Sequence, residues 1–315
     1  MLNDLLFSLE IVVPLFALLI LGAGLKRGGM IGDAFARNGN RMMFFVGLPV
    51  IVFRSIVGSD LRAIFDGRFV AAMLGLTVVS TVVIWAVSGW VIGERGVRGA
   101  FISSAFRGNQ AFLGIPLMMN LAGDAGLLRA TMVVTFVLPV ANVLSVFVMV
   151  FNGDGSKKVT ARGVVGMILK NPVILVTALG LTLVLSGARL PGVVDTTLTY
   201  VAEMATPLAL VCIGASLTFH GFDAKFKLAV AATVVKIVAL PLFFAGVGFL
   251  LGFRGVDLAA MAIMGGVPSA IAGYAMVVEM GGDGYVAGTI VALSTLLSAF
   301  TLTLIIYAVR VLGWV

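Results

Sequence analysis

The stretch Arg107-Gly108-Asn109-Gln110-Ala111-Phe112-Leu113-Gly114-Ile115-Pro116 sets two glycines, two amides, a proline and an arginine inside a run otherwise apolar enough to cross a bilayer. An unbroken helix fits it poorly, because glycine weakens a helix interior and proline removes a donor and clashes with the preceding turn. In hydrocarbon every unpaired backbone group is costly, so a helix broken at membrane depth survives only where protein or a water-filled cavity covers it. A second interruption, Gly265-Gly266-Val267-Pro268-Ser269-Ala270-Ile271-Ala272-Gly273, falls in another apolar run roughly 160 residues later. Paired breaks in corresponding halves of a chain point to the binding site of a secondary transporter.

Composition agrees with a chain that lives in lipid. Of 315 residues, 61% are hydrophobic and only 11% charged, where a soluble domain carries roughly a quarter charged. The net charge of +7 is spread over short loops rather than gathered on a stripe or recognition module, so nucleic acid is not a partner. A single cysteine, Cys212, and a single histidine, His220, leave no redox pair, no metal site and little acid–base machinery, and no cofactor is expected. The first apolar run follows Asp4 and contains Glu10, with no basic residue before it. It therefore reads as a retained span rather than a cleaved signal.

Apolar runs of membrane-crossing length occupy Leu6 to Leu25, Asn38 to Val57, Phe69 to Ile92, Gly99 to Leu121, Leu127 to Phe151, Val164 to Leu185, Leu198 to Phe219, Leu228 to Leu251, Leu258 to Met280 and Tyr285 to Val311. The expected fold is thus an all-α integral membrane protein with ten transmembrane helices, of which the fourth and ninth are broken. Twelve Lys and Arg flank the spans on the side reached after spans one, three, five and seven, against six on the other side. By the positive-inside rule both termini lie outside a multi-pass cell-membrane protein.

The spans form two copies. An offset of 158 residues places Pro14 on Pro172, Leu21-Gly22 on Leu179-Gly180 and Pro49 on Pro207; an offset of 159 places Gly114 on Gly273, Gly123-Asp124 on Gly282-Asp283 and Asn109 on Pro268. Five spans is an odd number, so the second copy enters the membrane from the opposite face, an inverted repeat of the kind that builds alternating-access carriers. The first repeat covers residues 1–151, a polar connection covers 152–162, and the second repeat covers 163–315.

Five segments together carry a family likeness: NQAFLGIP (Asn109 to Pro116), LPVANVLSV (Leu138 to Val146), NPVILVTALGL (Asn171 to Leu181), PLALVCIGASL (Pro207 to Leu217) and the VPSAIAGY run ending at Tyr274. The chain resembles the auxin efflux carrier family, whose bacterial members include malonate-transporter-like proteins. The resemblance implies that helices four and nine cross at their unwound middles and that small organic anions are carried. It also implies a scaffold of spans one, two, six and seven, often dimeric, and a moving unit of spans three to five and eight to ten. Where many relatives have a small residue and a glycine after the fourth-span asparagine, this chain has Gln110-Ala111.

The expected substrate-binding residues follow from the breaks. Half-helix N-termini present free N–H groups and roughly half a positive charge, suited to a carboxylate. Asn109, Gln110 and Ser269 supply hydrogen bonds, Gly114, Gly265 and Gly266 allow close approach, and Pro116 and Pro268 fix the interruptions; Tyr274 completes the second segment. Arg107 reads either as a partner for the substrate carboxylate or as a side chain snorkelling to headgroups. Lys236, at similar depth in the eighth span, has the same two readings and is a candidate for charge coupling. Asn142 is either a site residue or an interhelical hydrogen bond. Glu203 and Glu279 read as lying near helix ends. Because the breaks are duplicated and Arg107 is not, the helix termini are expected to outweigh Arg107 in anion selectivity.

The resulting expectation is a secondary transporter of a small mono- or dicarboxylate, embedded in lipid, with a possible homodimer through the scaffold. The nearest rival is a sodium-coupled symporter for a larger amphipathic anion resembling bile-acid-type carriers. A non-transporting membrane enzyme or anchor lacks catalytic residues within the spans and leaves the duplicated breaks without a purpose.

Overall fold

The computed structural model describes residues 2–57, 66–152, 172–188, 190–217 and 224–315. Its elements are helices: α1 (Leu2–Arg27), α2 (33–57), α3 (Gly67–Val91) and α4 (Arg95–Phe106); α5 (110–121) and α6 (124–152); α7 (Pro172–Leu185), α8 (Gly192–Ser216) and α9 (224–250); and α10 (Gly255–Gly266), α11 (Ile271–Glu279) and α12 (Gly284–Val311). Among the described residues, six helical stretches are long and apolar enough to cross a membrane: Asn3–Arg27, Gly67–Val91, Gln110–Asn152, Gly192–Ser216, Lys225–Leu250 and Gly284–Val311. The third of these has 43 residues and would run about 65 Å if straight, twice a bilayer core. It is not straight. Ala122 and Gly123 leave helical geometry, Gly123 with φ 55°, and a Cβ on Gly126 would overlap the Met118 carbonyl, so the chain doubles back there. Most of the 152–162 connection and the start of the sixth apolar run fall outside the described residues.

Proline position explains a second local feature. Four π-turns, at Met43–Gly47, Gln110–Gly114, Val133–Val137 and Val235–Ala239, are each followed by an aliphatic residue and a proline: Leu48-Pro49, Ile115-Pro116, Leu138-Pro139 and Leu240-Pro241. A proline ring clashes with the carbonyl four residues earlier and cannot donate to it. Widening the preceding turn relieves that clash without ending the helix. Pro116 therefore sits inside α5, just past its π-turn, and not in the interruption it was expected to fix. Pro14 and Pro207 lie inside α1 and α8 with no such turn.

Close helix crossings are made at glycine. A Cβ on Gly22 of α1 would overlap the Val211 carbonyl of α8, and one on Gly214 of α8 would overlap the Leu19 carbonyl of α1. A Cβ on Gly180 of α7 would come within 3.1 Å of Ile56 and 3.4 Å of Phe53 on α2. Helices α1, α2, α7 and α8 thus pack on one another, while α3, α4, α6, α9, α10 and α12 share a second set of contacts.

Charged residues at helix ends tie the second group together. Arg129 of α6 meets Asp257 of α10 at 2.5 Å and Asp66, the N-cap of α3, at 3.6 Å. Lys225 of α9 meets Asp283, the N-cap of α12, at 2.7 Å and Glu94, which precedes α4, at 3.2 Å. Glu203 departs from expectation: α8 begins at Gly192, directly after Pro191, rather than at Leu198. That early start puts Glu203 in the middle of the helix, where it is exposed.

Candidate functional site

Helix α4 stops at Phe106 because Arg107 turns extended, with φ −83° and ψ 113°. Helix α10 stops at Gly266, and Val267 and Ala270 are likewise extended. The two interruptions meet as an isolated antiparallel bridge between Gly108 and Ser269. The Asn109 N–H donates to the Pro268 carbonyl at 2.7 Å, and the Ala270 N–H donates to the Arg107 carbonyl at 3.3 Å. Backbone groups freed by one break are thereby satisfied by the other, the condition that makes broken helices tolerable in lipid.

Side chains take up the remaining carbonyls at the C-terminal ends of the half-helices. The Ser269 hydroxyl donates to the Ser104 carbonyl of α4 at 2.6 Å, while its own N–H donates to Ser294 Oγ of α12 at 3.1 Å. At the end of α10, Lys236 Nζ donates to the Gly265 carbonyl at 2.7 Å and Gln110 Nε2 to the Met264 carbonyl at 3.4 Å. Gly108 has no room for a side chain: a Cβ there would lie 2.8 Å from Val267 Cγ2 and 3.1 Å from Lys236 Nζ.

Beside the crossing is an enclosed cavity of about 10 Å³, about the room one water needs. Thr77 and Ser80 of α3 line it, with Arg107, Gly108 and Gln110 of the first break and Lys236 and Gly265 of the second half; Phe106, Ala141, Leu240, Phe244 and Met264 form the apolar wall. Two of these side chains are basic. Arg107 is 5% exposed and Lys236 1% exposed. Arg107 Nε has no partner, and its Nη1 reaches only Met276 Sδ at 3.8 Å. Among the described residues, no carboxylate lines the cavity. Two buried basic groups with no counter-ion among the described residues are expensive to hold charged in a low-dielectric interior. A larger open groove of about 410 Å³ is built wholly from α2, by Asn38, Arg41, Met42 and Phe45, and lies apart from the breaks in the chain.

The expected site residues divide accordingly. Arg107, Gln110, Gly265 and Lys236 come together at the cavity, and Asn109, Pro268 and Ser269 form the crossing beside it. Gly114 and Gly266 serve packing, since a Cβ would meet Met264 Sδ at 2.6 Å in one case and Ile305 Cδ1 at 2.9 Å in the other. Pro116, Asn142 and Tyr274 do not line the cavity. Tyr274 is exposed and lies against Gly284 and Gly288 of α12, and Asn142 Oδ1 is buried without a partner. Only one half-helix N-terminus, that of α5 at Gln110, opens onto the cavity; α11, starting at Ile271, does not. The charge facing a guest is therefore dominated by Arg107 and Lys236 rather than by paired helix termini. Thr77 and Ser80 escaped the sequence reading, where hydroxyl residues in an apolar run carry no distinguishing spacing.

The chain matches the family described as "Membrane transport protein" over residues 7–164 and 158–306. It is 27% identical over 301 residues to an uncharacterized transporter of Methanothermobacter thermautotrophicus, covering 94% of this chain and 97% of that protein. The uncharacterized transporter YfdV of Escherichia coli is 24% identical over 283 residues, with 85% and 86% covered. The uncharacterized transporter MJ1031 of Methanocaldococcus jannaschii is 20% identical over 277 residues, with 84% and 87% covered.

Proposed function

The chain belongs to the auxin efflux carrier family of membrane transport proteins, and from that premise we propose that it is a secondary transporter carrying a small organic anion by alternating access. The substrate class is a mono- or dicarboxylate such as malonate, or an auxin-like acid. One observation carries this: the closed cavity at the crossing of two broken helices, which has room for about one water and must widen to admit a carboxylate, is lined by two buried basic side chains and, among the described residues, by no acid. A site for a metal cation, sodium included, needs the opposite charge.

We further propose ten spans in two inverted repeats. The internal correspondence supports this at three places. Asn109 pairs through its backbone with Pro268, its own counterpart at an offset of 159. The Gly22–Val211 contact has its counterpart, 158 residues away on each side, in Gly180–Phe53. Asp66 and Lys225, also 159 apart, each belong to a three-charge cluster joining corresponding helix ends, α3, α6 and α10 around Arg129 in one and α9, α12 and α4 around Lys225 in the other. Alternating access in such a chain exchanges the two halves' conformations.

The test is counterflow into proteoliposomes loaded with unlabelled substrate, using radiolabelled malonate, acetate and indole-3-acetate, with choline and glucose as controls and sodium present or absent. Saturable, sodium-independent uptake of at least one carboxylate is expected. Uptake of choline but no carboxylate, or strict sodium dependence, overturns the reading.

A further inference from the structure

Lys236 is the buried group that the anion reading leaves incompletely used, and its surroundings give it a second task. It stands in the Val235–Ala239 π-turn of α9 and is 1% exposed. Its Nζ donates a hydrogen bond to the Gly265 carbonyl. The helices around it are α4, α10 and α12, with α3 and α6 completing the cavity. Among the described residues lining that cavity, Arg107 is the only other charged or titratable one. The remaining charges on these helices sit towards their ends: Arg68 on α3, Arg95 and Arg98 on α4, the exposed Asp124 and Arg129 on α6, Asp257 on α10, and Arg310 with the capping Asp283 on α12. Arg98 is taken by Asn152, Arg129 by Asp257, Asp283 by Lys225, and Arg310 by Asp4.

We infer that Lys236 is a proton-carrying group of the transport cycle: an uncharged amine when the cavity is empty, an ammonium when it holds an anion, so that each carboxylate crosses together with one proton. The inference rests on the anion reading of the same cavity. Two uncompensated cations cannot share so small a dry space without heavy cost. Of the pair, only lysine can shed its charge, because a guanidinium keeps its proton under all ordinary conditions and a buried amine titrates readily. The neutral amine still donates an N–H to the Gly265 carbonyl, so the contact that closes α10 survives the change of charge state.

The balance is simple. On loading, the carboxylate and a proton enter from the same aqueous phase, and the Nζ lone pair forms the new N–H bond with a proton given up by hydronium. On release to the other phase, that bond breaks and the proton returns to water as the carboxylate leaves. For a monocarboxylate the cavity carries the same net charge, one positive from Arg107, on both the loaded and the empty legs, so transport is electroneutral. For a dicarboxylate, one negative charge moves per cycle.

Two measurements test this on the full chain in lipid nanodiscs. In protein labelled with [13Cε,15Nζ]lysine, the Lys236 resonances, assigned by their loss in Lys236→Arg, should report a neutral amine at pH 8 without anion and an ammonium after malonate is added. Calorimetric titration with malonate in buffers of different ionisation enthalpy should show close to one proton taken up per anion bound by wild type. Uptake should fall near zero in Lys236→Arg, whose charge is permanent, and in Lys236→Gln, which cannot be protonated and serves if the arginine variant does not fold. Malonate binding with no proton uptake by wild type overturns the inference, as does undiminished uptake in a folded Lys236 variant. If malonate, acetate and indole-3-acetate all fail to bind, the anion reading fails by itself, and the lysine spectrum still decides: an ammonium at pH 8 in the empty protein overturns the proton role.

Discussion

Replacing Arg107 by glutamine should weaken anion binding and at the same time strengthen the empty protein. The guanidinium is buried, has no acidic partner among the described residues, and makes a sulfur contact at 3.8 Å. A carboxylate about 4 Å away gains roughly 4 kcal/mol from such a cation at an effective dielectric constant near 20. A glutamine amide returns a neutral hydrogen bond of about 1 kcal/mol, leaving a loss of about 3 kcal/mol, or on the order of 150-fold in Kd. The empty state moves the other way. Removing an uncompensated buried charge relieves a desolvation penalty of several kcal/mol, part of which is returned by the space the shorter side chain leaves. A net gain of roughly 1 to 2 kcal/mol in stability is expected. The assay is calorimetric binding of malonate to wild type and Arg107→Gln, with thermal unfolding of both without anion. An anchoring arginine and a substrate-binding arginine differ in sign here. A variant that unfolds at lower temperature and binds within threefold of wild type refutes the reasoning.

Asn109→Ala should reduce carboxylate affinity by roughly 10-fold or more, the worth of one hydrogen bond to a charged partner, while circular dichroism and unfolding temperature stay near wild type, because the crossing at Asn109 is made by its backbone. Gly214→Val should cost about 1 to 3 kcal/mol by overpacking α8 against the Leu19 carbonyl of α1, read as lower thermal stability with unchanged anion selectivity. At Asp283, burial raises the carboxyl, but the hydrogen bonds from Lys225 and the Val286 N–H outweigh it and hold the group below its ordinary value. The stability it contributes is therefore complete above the ordinary carboxylate range and is lost as pH falls through the lower folded value. Asp283→Asn should remove roughly 1 kcal/mol at neutral pH and flatten the acid limb of the unfolding curve. In a Cys212→Ala background, Gly32→Cys should react with an impermeant thiol reagent only from the cytoplasmic face and Gly192→Cys only from outside; reaction of both from one face contradicts inverted repeats.

The breaks were legible in the sequence because glycine, proline and amides are conspicuous in an apolar run, and the register between them was legible because those residues recur. Arg107 and Lys236 were visible for the same reason, as charges at membrane depth. That they share a cavity was not, since the eighth span carries no motif tying Lys236 to a carbonyl 29 residues later. Pro116 misled because a helix-breaking residue need not sit in the break: the π-turn at Gln110–Gly114 absorbs its clash, and the interruption begins nine residues earlier at Arg107. Tyr274 misled because an aromatic polar tip near a break suggests a ligand contact, whereas two glycines of α12 make the surface it lies on. The end-to-end ion clusters were beyond the sequence reading, because the helices they join are far apart along the chain. Arg129 and Asp257 are 128 residues apart.

The central claim is that the cavity between Arg107 and Lys236 receives the anion, and substrate protection tests it most directly. Ser80 lines that cavity from α3, so Ser80→Cys, made in a Cys212→Ala background and reconstituted in liposomes, places a reporter at the site without touching either cation. The rate of its alkylation by N-ethylmaleimide is measured with and without a carboxylate that the protein transports in counterflow, and a cysteine at Asn38 in the α2 groove serves as the control. The account predicts concentration-dependent slowing at position 80, half-maximal near the transport constant, and no change at position 38. Slowing at position 38 with none at position 80 would contradict it.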